Sequence, residues 1–179
     1  MRTKTTVLVF ITTLFVVGFF SLQLFSYPGG APAAKTGSPA DVKTCMACHN
    51  ATLKKQEGMI TSDAVSNVYE PGKTYTIKAT VSGSAGVQRI GFEVSPQNVS
   101  GTLMGKLILT DSDRTKLIGK GKYITHSEKG SRAEGSNSWS FKWQAPAAGS
   151  GDVTFYGAFM VSEASQVVFT STLALKEKK

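Results

Sequence analysis

The residues with the most chemical potential are gathered in one run, "DVKTCMACHNAT", residues 41–52. It holds both cysteines of the chain, Cys45 and Cys48, and one of its two histidines, His49. C-x-x-C-H is the spacing of c-type haem attachment: two thiols add to the two vinyl groups, and the following histidine becomes the proximal iron ligand. Two other chemistries use the same residue types. Cys45, Cys48, His49 and His126 total four N/S donors, the number tetrahedral zinc takes, although adjacent Cys48 and His49 are awkward on one small ion. A redox dithiol or a short disulfide is the third reading, but thioredoxin-like pairs open a helix in a βαβ setting that this sequence lacks. The expected cofactor is one covalent haem c, with zinc or a disulfide as the alternative.

An iron in that position has room for a sixth ligand. The candidates are His126, in "YITHSEKG", and Met59, ten residues past His49; Met104 and Met160 are the other methionines beyond the motif. A histidine lowers the potential and a methionine raises it. His126 has an equally good structural use, as a hydrogen-bonding group at a strand end. Other features carry less. Asp111 and Asp113 lack a third carboxylate at calcium-loop spacing. No Ser-His-Asp or paired-carboxylate arrangement is legible, so the chain reads as an electron carrier or binding module, not an enzyme. Its lysines are dispersed, without interleaved aromatics, which argues against nucleic acid.

The elements that must position this motif come next. The formal charge of the 179 residues is +8. Arg2 and Lys4 precede an uncharged apolar run from Thr5 to Phe25, long enough to span a bilayer. Residues 1–26 are therefore expected to be a signal peptide or membrane anchor, and the positive-inside rule sends the remainder out, to the periplasm or cell surface. Residues 27–41, rich in Pro, Gly and Ala, read as a flexible linker. Residues 42–68 are the haem attachment segment. From 69 to 175 the period is two. Tyr75, Ile77, Ala79 and Val81 share one face, as do Ile90, Phe92 and Val94; Trp139, Phe141 and Trp143; Val153, Phe155 and Phe159; and Val167, Phe169 and Leu173. Glycine-rich turns separate these runs. The pattern predicts an all-β protein, an antiparallel β-sandwich.

Parts of the chain resemble known families. "YEPGKTYTIKATV", "GFEV", "ITHSEKG" and "WSFKWQAPAAGSGDVTFYGAFM" look like the reelin-type (reeler) domain, which implies an immunoglobulin-like β-sandwich found in extracellular proteins. "GAPAAKTGSPADVKTCMACH" is similar to the segment preceding such a domain in exported bacterial proteins of the choice-of-anchor V type. The two together imply a haem-bearing, or at least metal-capable, N-terminal segment on a reeler sandwich. The expected function is one-electron transfer with redox partner proteins, and the alternative is an extracellular binding or structural β-sandwich whose Cys-x-x-Cys-His holds zinc or a disulfide. The T-H-S histidine occurs in reeler domains without a haem motif, which implies a structural role for His126. This sequence ends at "LALKEKK" without the sorting domain of many bacterial relatives, so the N-terminal helix is the expected membrane attachment.

Overall fold

The computed structural model describes residues 27–83, 85–162 and 166–179. The expected signal or anchor lies outside the described residues. Among the described residues no helix is long and apolar enough to cross a membrane.

Two sheets pack face to face. The larger runs β1 (Thr52–Lys55), β11 (Val167–Glu177), β10 (Val153–Ser162), β5 (Arg89–Gln97), β8 (Tyr123–His126) and β7 (Thr115–Ile118), with β3 (Val68–Tyr69) pairing on β11. The smaller runs β2 (Ile60–Ser62), β4 (Thr74–Ser82), β9 (Ser136–Gln144) and β6 (Lys106–Ile108). The pairing is antiparallel except where β1 and β3 lie parallel to β11. The all-β sandwich expected from the period-2 runs is the fold.

The alternation explains the core. Tyr75, Ile77, Ala79 and Val81 of β4 and Trp139, Phe141 and Trp143 of β9 face Ile90, Phe92 and Val94 of β5 and Val153, Phe155 and Phe159 of β10. Phe92 stacks on Trp139 with ring centroids 4.3 Å apart, and Trp143 meets Tyr69 and Phe155 edge-on. Each indole N–H is satisfied: Trp139 Nε1 donates to Gly130 O and Trp143 Nε1 to Met104 O. Buried tryptophan needs such a partner, because an unpaired donor would offset the gain from burying the ring.

Residues 27–41 depart from the expected linker. They form a strap across the outer face of the large sheet, with Thr36 and Ser38 buried. The outward residues of β5, Glu93, Ser95 and Gln97, are consequently buried too. Polar groups fasten the strap. Ala31 N–H donates to Thr125 Oγ1 (3.1 Å), Lys35 N–H to Glu93 Oε1 (3.0 Å), and Tyr123 Oη to Asp41 Oδ1 (2.7 Å). Within the strap Thr36 Oγ1 donates to Asp41 Oδ2, and Asp41 N–H to Ser38 Oγ. Composition alone misled here: short Pro, Gly and Ser segments also make tight turns that lie flat when a sheet supplies hydrogen-bond partners. Nor are residues 42–68 separate from the sandwich, since β1 joins the large sheet and β2 the small one.

Gly91 sits under this layer. A Cβ there would lie 2.6 Å from His126 Cε1 and 3.0 Å from Nε2. Gly91→Ala is expected to push the ring off β5 and destabilise the fold by about 1–3 kcal/mol, the usual cost of overpacking. Denaturant unfolding together with the His126 NMR resonances checks this; unchanged stability and unchanged shifts would contradict it.

Burial raises the Glu93 carboxyl to about 7, with Asp41 adding to the rise and the Lys35 backbone N–H opposing it. Below about 4.5 the group is protonated folded or unfolded. Between about 4.5 and 7 only the folded chain keeps the proton, so stability falls as pH rises, by on the order of 3 kcal/mol across the window. Burial moves His126 the other way, below its usual range, so its contribution weakens as pH falls through 6.5. The expected result is that the difference in unfolding free energy between wild type and Glu93→Gln grows from pH 4.5 to 7.5 in favour of the variant. A difference independent of pH would contradict it.

Candidate functional site

The strap delivers the cysteine motif to the sheet. Thr44 Oγ1 accepts the Met46 N–H at 3.2 Å and starts a single 3-10 turn, Cys45–Ala47. Cys48 N–H and His49 N–H both donate to Cys45 O, at 3.2 and 3.1 Å. That winding places positions i, i+3 and i+4, which are Cys45, Cys48 and His49, on one side of the turn. Cys45 is buried against Ala158, Met160 and Val168, the outward residues of β10 and β11. Cys48 is exposed and His49 half-buried. The two thiols are not joined.

Cys45, Cys48 and His49 line one side of an open cleft of about 110 Å³ between the strap and the outer face of the large sheet. His126 lines it from β8. Tyr27, Pro28, Pro32, Phe92 and Met160 supply apolar wall, and Lys35, Arg89 and Ser131 are polar. That is smaller than the roughly 300–1,000 Å³ typical of cofactor and small-molecule sites, so a ligand of that size would extend out through the open side of the cleft. Four of the five sequence candidates therefore meet at one place. The fifth, Met59, does not. It precedes β2 and turns into the core between the sheets, 4% exposed, packed with residues such as Ile60 and Tyr75. The methionine of the cleft is Met160.

His126 is held in place. Its Nδ1 lies 3.0 Å from the Phe92 N–H and 3.1 Å from the Phe92 carbonyl. The ring can thus accept at Nδ1 or, as the other tautomer, donate from it without moving. The Tyr27 backbone makes a further hydrogen bond to the ring. Desolvation is the first cause that lowers its pKa, and the Lys116 and Arg89 charges act the same way. The ring is therefore neutral at neutral pH.

The thiols differ from a redox dithiol. Burial, reinforced by the Glu93 charge, pushes Cys45 up to about 12, so it stays a thiol. A reactive pair needs a lowered pKa. Zinc also fits poorly: among the described residues no three His, Cys, Asp or Glu side chains converge closely enough to hold a metal ion. A macrocycle that reaches its thiols and its axial nitrogens at separate points has no such need for convergence.

Sequence reasoning missed Arg89, Gly91 and Met160 because they lie on or beside strand faces read as solvent-facing. A signal was present. "FYGAFMV" of β10 is apolar at nearly every position, as in strands covered on both faces.

None of the curated proteins matches the chain. The family model described as the Reeler domain matches residues 43–174. Among solved structures, the Reelin-N domain of F-spondin is 17% identical, covering 72% of this chain and 93% of that one with a TM-score of 0.56. The human F-spondin reeler domain is 16% identical, covering 75% and 99%, also with a TM-score of 0.56. The likeness to choice-of-anchor V proteins gains no support from these comparisons. Reeler domains are typically extracellular, which agrees with export of the folded part, and they bind or build rather than catalyse. The chain belongs to the Reeler domain family of non-enzymatic binding and structural modules.

Proposed function

We propose that this exported reeler module carries one covalent haem in the cleft between strap and sheet, and that it passes single electrons to redox partner proteins at the periplasmic or outer surface. The observation that carries the reading is the meeting of Cys45, Cys48, His49 and His126 on one apolar-walled cleft. A bound haem would supply reversible one-electron chemistry at a potential set by its axial ligands and its exposure.

The chain's own residues do the rest. Cys45 and Cys48 provide the thiols for the two thioether bonds, and the His49 ring the proximal nitrogen. His126 would be the residue on the sheet side that could hold the iron. Donation from its Nδ1 to the Phe92 carbonyl leaves Nε2 with the lone pair, the backbone arrangement common to ligating histidines. Pro28, Pro32 and Met160 give the cleft apolar surface. Because folded Cys45 is buried and protonated, attachment precedes docking of the strap onto the sheet.

A haem-free extracellular binding module is the second reading, favoured by family membership. One preparation separates the two. In a host with c-type maturation, the wild-type chain is expected to gain one haem's mass and an acid-acetone-resistant c-type absorption spectrum, both lost in Cys45→Ala/Cys48→Ala. A colourless chain at apo mass, from a host that matures another c-type cytochrome, would falsify the haem reading and leave the binding module.

A further inference from the structure

The polar groups of the cleft follow a pattern of their own. Two cations line it, Arg89 from the start of β5 and Lys35 from the strap. Among the described residues no Asp or Glu lines it. Arg89 is half-buried, and its Nη1 donates to Ser131 Oγ at 2.9 Å. That hydroxyl is itself fixed, donating to Glu128 O at 2.8 Å. The guanidinium is therefore pinned at one nitrogen while most of its five donors remain for a ligand. Lys35 is also half-buried. Its Nζ reaches the Ala33 and Ala34 carbonyls at 3.3 and 3.4 Å. Its backbone N–H donates to Glu93 Oε1, and its ammonium charge acts on that carboxyl as well, without a hydrogen bond between them.

Two part-buried cations facing an apolar cleft are costly unless an anion joins them, because burial weakens their hydration. They also come from different elements, so a ligand that engages both must bridge the strap and the sheet. The matching ligand has an apolar body and two carboxylates. We propose that Arg89 and Lys35 are the carboxylate anchors of the cleft, each binding one carboxylate of a flat, dianionic tetrapyrrole. This rests on the haem reading, in which the carboxylates are the two propionates. It adds a selection step: the cleft orients the macrocycle by its charged edge as well as by its thioethers.

The test uses the full chain in detergent, made without c-type maturation and kept reduced. Hemin and hemin dimethyl ester, which lacks the two charges, are titrated in turn and followed by Soret absorbance. The cleft variant is Arg89→Gln/Lys35→Gln. The control, Lys54→Gln/Lys55→Gln, removes the same charge from the exposed edge strand β1. The cleft variant is expected to weaken hemin binding by roughly ten-fold or more, the scale of lost charge-assisted hydrogen bonds. The control should leave hemin binding within about two-fold, and the ester should bind wild type and both variants alike. Unchanged hemin affinity in the cleft variant would overturn the proposal. Equal weakening of hemin and ester would do so too, since it means a damaged cleft. Wild-type binding of neither compound would instead bring down the haem reading and this inference with it.

Discussion

Everything at the candidate site depends on how the outer face of one strand is covered. The odd-numbered residues of β5 turn Glu93, Ser95 and Gln97 away from the core, and all three are buried. A carboxyl in such a place must be paired or neutral. The strap meets that demand through the Lys35 N–H, and the Glu93 pKa near 7 reflects what remains unmet. Ser95 is satisfied by the Lys122 carbonyl. Once the strap is fastened at Ala31, Lys35 and Asp41, the following turn has little freedom. Cys45 is laid on Ala158, Met160 and Val168, and the gap beside it becomes the cleft.

Much of the sandwich was legible because its strands alternate cleanly. β4 and β9 each show one apolar face and one face of Thr, Ser and Lys, and burial follows that period residue by residue. β7 and β8 were harder. Each has four residues, and "YITH" is buried throughout, so no alternation marks it. The strap was illegible for a deeper reason. Its stability comes from hydrogen bonds to residues such as Glu93, Tyr123 and Thr125, roughly 60 to 95 positions away by the separations of those bonds. Local composition contains no trace of such partners.

The site divides in the same way. Cys45, Cys48 and His49 announce themselves by spacing, and a helical turn is enough to bring them together. His126 could be named as a candidate only because histidines are scarce here. Met59 was chosen for nearness in sequence, and the core took it instead. Its apolar thioether is worth more between the sheets than at a polar turn. Arg89 and Met160 enter the cleft through tertiary packing alone. The reeler scaffold supplies two rigid sheets; the cysteine motif and its strap turn one outer face into a pocket.

The central claim is that the strap, the turn after it and the sheet build one site, with His49 from the turn and His126 from the sheet. The most direct measurement is low-temperature EPR of the oxidised, matured protein beside His126→Ala and Met160→Leu. The account predicts a low-spin signal of two imidazole ligands in wild type and in Met160→Leu, replaced in His126→Ala. A signal identical in wild type and His126→Ala would contradict it, because the sheet would then contribute no ligand to the site the motif makes.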